Sequence, residues 1–229
     1  MLSAHNRVVM LTGSSRGIGK GILDVLLEAG FIVSAGVRRP QDFAVTDQIS
    51  YHAYEALKPE DASRWVAETV AMHGRIQALV NVAGVSRKAS YTTEDEAGLD
   101  EMWAINAKAP VRLTRYALPH LRACGDGRVI NIASVGGKAV QHATGLGYCM
   151  TKHAMIAATA ALRREAWADG VRATAICPGL VATEMTVSRA VPTDEMSQPR
   201  DIGEVVRMAL LMPNNAAIPE VIVDRQNRW

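Results

Sequence analysis

Apolar positions fall in two alternating patterns along this chain. Short continuous runs, such as Val8 to Leu11, have the length and character of strands buried on both faces of a parallel sheet. Longer stretches with helical spacing separate them. The pattern predicts a strand at 8–11, a helix over about 17–29, a second strand in FIVSAGV, a third near Tyr51, and a fourth over 77–83. Two long helices follow, one around 100–123 and one over 147–168, with the alternating strand of VINIASVGG between them. Strands at 171–177 and 220–223 close the series. Such alternation predicts an α/β fold, a doubly wound parallel sheet of about seven strands with helices on both faces. No repeat or linker interrupts it, so residues 1–229 are expected to form one domain.

The sharpest local signal is TGSSRGIG, which follows the first strand at once. Gly13, Gly17 and Gly19 permit a tight turn, allow bare backbone to approach a pyrophosphate, and bring the next helix close to the strand. The helix then aims its free N–H groups at the phosphates. A glycine-rich turn can also be mere packing, and the G-x-x-x-G-x-G spacing differs from the commoner G-x-G-x-x-G. Its place between a strand and a helix favours the dinucleotide reading.

A second signal is YCMTK, with Tyr148 and Lys152 four residues apart and therefore on one helix face. A free phenol titrates near pH ~10. A neighbouring ammonium, with the positive ring of an oxidised nicotinamide, would move it toward a useful range. The pair by itself is common. It gains weight from Ser134, a hydroxyl at the C-terminal end of a predicted strand, where open α/β sheets bind ligands.

On these motifs the chain resembles the short-chain dehydrogenase/reductase superfamily in its short, single-domain, Rossmann-type form. Thr12, Gly13, Gly17 and Gly19 match the family's glycine motif, with Ser15, Arg16 and Ile18 inside it. Asn81, Val82, Ala83 and Gly84 match its N-N-A-G segment, Val82 replacing the second Asn. The motif P-G-x-V-x-T, which touches the nicotinamide in the family, is met by Pro178, Gly179, Val181 and Thr183. The resemblance implies a catalytic set of Asn106, Ser134, Tyr148 and Lys152, with Tyr148 and Lys152 also contacting the cofactor and Asn106 holding a relay water. It implies hydride transfer between a nicotinamide and a small carbonyl or alcohol, and pairing of the two long helices with their copies in a homodimer or homotetramer. The alanines of the second helix can equally pack within the monomer. A lid over the substrate is expected around 183–200, with Met185, Val187, Val191 and Met196; a surface loop with packed methionines fits that composition as well.

Charge bears on the choice of cofactor. A carboxylate at the end of the second strand favours NAD, and by the family's spacing that position is Val37. Arg38 and Arg39 follow it, and with Arg16 they suit a 2′-phosphate, so NADP(H) is expected over NAD(H). Glu55 falls where the family often places an Asp near adenine, and His142 lies in the stretch expected to wall the substrate.

Composition removes other classes. Apolar residues make up 48% of the chain, its formal charge is +2, and its arginines are scattered, which argues against nucleic acid as a partner. No stretch approaches the ~20 apolar residues of a membrane span, and the start lacks signal-peptide character, so a cytoplasmic protein is expected. Cys124, Cys149 and Cys177 suit free thiols in a reducing compartment, and neither they nor the dispersed His suggest a metal. The ending VIVDRQNRW departs from the V-D-G-G of many fatty-acid-type reductases, leaving a 3-oxoacyl-acyl carrier protein reductase as an alternative. A catalytically silent NADP sensor is another, although both Tyr148 and Lys152 are present. The fifty or so residues after Gly179 are too few for the substrate domain of a sugar epimerase.

Overall fold

The computed structural model describes residues 1–93, 96–140, 142–186 and 191–225. Seven parallel strands form one sheet in the order β3-β2-β1-β4-β5-β6-β7. They are β1 (Val8–Thr12), β2 (Ile32–Val37), β3 (Ile49–Ala53), β4 (Ala78–Asn81), β5 (Arg128–Ile132), β6 (Arg172–Pro178) and β7 (Glu220–Val223). All seven coincide with the apolar runs. The strand order reverses between β1 and β4, which opens a crevice at their C-terminal ends, the usual ligand position in such sheets.

The fourth strand is shorter than its apolar run. Its chain leaves the ladder after Asn81 because the N–H groups of Val82 and Ala83 donate to the Thr12 hydroxyl at 2.9 and 3.1 Å. Backbone donors must be satisfied somewhere, and here a side chain of β1 takes two of them.

Helices α1 (Gly17–Glu28) and α6 (Pro199–Leu211) cover one face of the sheet. They approach so closely that a Cβ on Gly21 would lie 2.5 Å from the backbone of Pro199. Helices α2 (Pro59–His73), α4 (Ala109–Ala123) and α5 (Leu146–Glu165) serve the other face, where Trp65, Leu79, Leu113, Leu121 and Val129 are fully buried. Trp65 lies over Gly36, the one size that β2 can carry there, since a Cβ would stand 2.6 Å from its ring. The apolar periodicity did not single out α2 or α6. Their ends are marked instead by Pro59 and Gly74 in α2, and by a reciprocal Gln198–Asp201 capping box in α6.

The predicted helix over 100–123 is not one regular element. It begins as α3 (Glu96–Trp103), passes through a wider π-helical turn at Ala104–Lys108, and resumes as α4. Pro110 offers no N–H to the carbonyl of Asn106, so the α-helical ladder cannot continue through that point.

Candidate active site

The glycine loop runs from the end of β1 into α1. Gly13 and Gly17 have φ of 67° and 52°, in the left-handed region that glycine adopts without strain. Gly19 is required by space, since a Cβ there would lie 1.9 Å from the Gly13 carbonyl oxygen. Arg16 stands at the N-cap of α1 without a side-chain capping bond, which leaves the first N–H groups of the helix without an intrahelical or side-chain acceptor among the described residues.

In front of this loop lies a cleft of about 990 Å³. At the β2 side it is lined by Gly36, Val37, Arg38, Tyr54, Glu55 and Leu57; toward β5 it reaches Ser86, Arg87, His142, Thr144 and Met185. Gly13, Ser15, Arg16, Gly17, Ile18 and Gly19 form its floor with Ala83 and Gly84. The loop fits a dinucleotide in volume, in the bare glycine backbone and in the open helix end.

The four residues expected to be catalytic lie together behind Gly84, and none of them, the expected cofactor contacts Tyr148 and Lys152 included, is on the cleft lining. Ser134 follows β5 and is buried, its hydroxyl accepting from the Gly136 N–H at 3.0 Å and donating to the Pro178 carbonyl at 3.4 Å. The half-buried Tyr148 sits in the first turn of α5. Burial raises its phenol above the ordinary value of 10.0, opposed by a hydrogen bond with the Ser134 side chain. Lys152 is one turn further on and buried; its ammonium donates to the Ile132 carbonyl at 2.8 Å and lies 5.6 Å from the centre of the Tyr148 ring. Burial pulls its pKa down to about 8. The polar partner of the phenol is thus Ser134, while the ammonium is held by the end of β5.

Asn106 projects from the π-helical turn and is buried. Its Oδ1 accepts from the Val85 N–H at 2.8 Å, and its Nδ2 donates to the Val85 carbonyl at 2.8 Å and to the Thr151 hydroxyl at 3.1 Å. The amide therefore clamps the segment after β4 to α5. A Cβ on Gly84 would meet Asn106 Oδ1 at 3.2 Å and Lys152 Nζ at 3.7 Å.

Several expected contacts lie elsewhere. The Asn81 side chain is buried within the sheet, donating to Asn131 Oδ1 at 2.8 Å and to Thr114 at 3.4 Å, and does not line the cleft. Asn131 continues the ladder to the Thr159 hydroxyl at 2.8 Å, so Asn81 joins β4 to β5 and the helices. Arg39 pairs with Asp42 at 3.0 Å outside the cleft lining, leaving Arg38 and Arg16 as the expected arginines that line it. Pro178, Gly179 and Val181 underlie the site: Gly179 donates to the Val223 carbonyl, and Val181 is buried. Thr183 reaches the lining. Glu55 also reaches it, with its carboxylate on Lys58 at 2.9 Å. In the expected lid Met185 lines the cleft and Met196 is buried, whereas Val187 lies outside the described residues.

The sequence reading missed Arg87, Glu101, Ile105 and Thr144 on the cleft wall. Arg87 and Glu101 form an ion pair at 2.8 Å. The S-R-K run that follows N-V-A-G after Val85 was the available signal. Among the described residues there is no metal-binding cluster, and no helix is long and apolar enough to cross a membrane.

Comparison with known proteins gives a consistent picture. The model of a family described as short chain dehydrogenase matches residues 7–193. An agropine synthesis reductase of Rhizobium rhizogenes is 37% identical over 219 residues, covering 93% of this chain and 51% of that protein. The chain thus spans about half the length of that relative. An uncharacterised oxidoreductase of Staphylococcus saprophyticus is 28% identical, with 97% of both chains covered. Among solved structures, a 3-ketoacyl-(acyl-carrier-protein) reductase from Brucella melitensis complexed with NADH superposes with a TM-score of 0.88 at 22% identity, covering 97% of this chain and 98% of that one. ElxO with NADP bound superposes at 0.84 and 23%, covering 96% and 98%. At these identities the superpositions establish the fold.

Proposed function

The chain belongs to the short chain dehydrogenase family, and from that premise we propose that it interconverts a small carbonyl compound and its alcohol with NADP(H). The observation that supports this reading is the clustering of Ser134, Tyr148 and Lys152, with Lys152 Nζ 3.7 Å from the Cβ position of Gly84 on the wall of a cleft whose floor is the glycine loop. The nicotinamide supplies or accepts the hydride at its C4 when bound.

Each residue then has a separable task. The phenol of Tyr148, held above its ordinary value by burial, is protonated at neutral pH and gives its proton to the carbonyl oxygen in reduction. The Ser134 hydroxyl donates to the same oxygen and stabilises the alkoxide as charge develops. Lys152, titrating at about 8, brings a cation to the site and favours the phenolate left after transfer. The Asn106 side chain fixes the wall beside them, and its backbone carbonyl, which Pro110 leaves without an α-helical donor, is proposed to hold a relay water.

Arg16 and Arg38 on the cleft lining support NADP(H) over NAD(H), since Val37 leaves no carboxylate at the end of β2 to repel a 2′-phosphate. The segment 183–200 is proposed as the substrate lid. An apolar groove lined by Trp103, Val140, Leu146, Met150 and Ala154 supports a homodimer across α5. The thiols of Cys124 and Cys177 support a reducing, cytoplasmic setting.

The test is NADPH oxidation against ketones, aldehydes, quinones and acyl thioesters, with Tyr148→Phe alongside. Turnover with at least one carbonyl class that falls roughly 10²–10⁴-fold in Tyr148→Phe, at unchanged NADPH affinity, is expected. A Tyr148→Phe enzyme with near-native turnover would overturn the assignment.

A further inference from the structure

Two segments meet across the mouth of the cleft. One is the glycine loop, where Arg16 is exposed and has Glu184 as its sole ion-pair partner among the described residues, Nη1 to Oε2 at 2.5 Å. The other is the stretch that leaves β6. Beside the ion pair, a Cβ on Gly17 would stand 3.3 Å from Thr183 Cγ2, so the backbones are close as well as the charges.

Glu184 is not at the tip of a loose chain. Residues 180–182 pair with Ser197, through the Ala182 N–H to its carbonyl at 2.9 Å and the Ser197 N–H to the Leu180 carbonyl at 3.2 Å. A turn follows, closed by the Thr186 N–H to the Thr183 carbonyl at 3.0 Å. The Thr186 hydroxyl braces it by accepting from the Thr183 N–H and donating to the Val181 carbonyl. Glu184 and Met185 occupy the tip, and both line the cleft with Arg16.

We propose that Glu184 is a specificity-determining residue that competes with the cofactor's 2′-phosphate for Arg16. This rests on the reading that Arg16 helps to receive that phosphate. A carboxylate on the same guanidinium acts against the phosphate in two ways. Their bond must be broken to free the donors, and a carboxylate remaining nearby repels the incoming negative charge. NAD(H), which has a hydroxyl in place of the phosphate, meets neither cost. Glu184 therefore narrows the preference for NADP(H) that Arg16 and Arg38 create. The pair is exposed, its two side chains retaining 67% and 70% of their accessible surface, so the effect is modest and screened by salt.

The experiment is calorimetric titration of the purified protein with NADP⁺ and with NAD⁺, for wild type, Glu184→Gln, Arg16→Gln and the double variant, at low and high salt. Glu184→Gln is expected to tighten NADP⁺ about two- to fivefold, to change NAD⁺ less, and to lose most of this difference at high salt. In the Arg16→Gln background the same substitution should change NADP⁺ affinity much less, because only the direct repulsion between carboxylate and phosphate is then relieved. Equal effects on both dinucleotides, no effect on either, or a gain that is undiminished without Arg16 would overturn the proposal. Wild type binding NADP⁺ no better than NAD⁺ would instead overturn the cofactor reading. The ratio of affinities in Glu184→Gln against wild type would still decide the role of Glu184.

Discussion

The ammonium of Lys152 donates to the carbonyl of Ile132 at 2.8 Å, which places a buried cation at the end of β5 against a neutral acceptor. Burial brings its pKa from 10.5 down to about 8. Below pH 8 folded and unfolded chains both carry the proton, and the fold bears the cost of burying it. Between about 8 and 10.5 the unfolded chain keeps a proton that the folded one has lost, so stability rises with pH. The expected outcome is that Lys152→Met abolishes turnover yet is more stable than wild type at pH 7, by about 1–3 kcal/mol. Denaturant melts at pH 7, 9 and 10 should show the difference shrinking; a difference independent of pH would sink this account.

Gly19 gives a sharper steric expectation. A methyl placed 1.9 Å from the Gly13 carbonyl oxygen meets backbone on a loop that has nowhere to retreat, because a Cβ position on Gly13 is itself 3.0 Å from the Ala83 nitrogen. Gly19→Ala should cost about 1–3 kcal/mol of stability and weaken dinucleotide binding by more than Gly74→Ala. Gly74 provides a useful comparison: its φ is also positive, but a Cβ there meets nothing within 4 Å and the residue lies at the far end of α2. Urea melts and NADPH titrations of the two variants separate loop geometry from general loss of fold.

At the opposite end of the sheet, the Arg7 guanidinium is buried and grips Asp126 through both carboxylate oxygens at 2.9 Å. Burial alone would raise the Asp126 carboxyl, but the hydrogen bonds and charge of Arg7 outweigh it and hold the group below 3.8. A lowered carboxyl contributes stability above its ordinary pKa and loses it as pH falls through the folded value. Asp126→Asn leaves Arg7 buried without its counter-charge and should cost about 3 kcal/mol at pH 7. The variant should also show a weaker dependence of stability on pH below 4. Acid titration followed by circular dichroism checks both expectations, and an unchanged melting curve at pH 7 would refute the first.

The strands and the glycine loop were legible because each rests on local chemistry: apolar runs for buried parallel strands, and glycines where backbone must turn or approach. Tyr148 and Lys152 were legible by their spacing. What the sequence hid was direction. Asn81 sits in a motif associated with cofactor binding, but its side chain points into the Asn131–Thr159 ladder, and no local pattern says which face of a four-residue strand a polar group takes. Arg38 and Arg39 are adjacent in sequence and so project differently, one to the cleft and one to Asp42. The pairings Arg16–Glu184 and Arg87–Glu101 join residues distant along the chain, which only the fold brings together.

Arg38 provides the remaining expectation. It follows Val37 at the end of β2, lines the cleft, and has no ion-pair partner among the described residues. A charged donor facing a phosphate contributes about 1.5–3 kcal/mol, so Arg38→Asp should weaken NADPH by roughly ten- to a hundredfold or more, with repulsion added to the lost contact. NADH should lose far less, because an acidic side chain at this edge can accept from ribose hydroxyls. The salt dependence of NADPH binding should fall as well, since one of the cations drawing the phosphate is gone. Equal affinity of the native protein for NADH and NADPH would remove the basis for this preference. Equal weakening of both cofactors by Arg38→Asp would instead assign Arg38 to the shared part of the dinucleotide, and the choice between cofactors would then rest on Arg16 and its competitor Glu184.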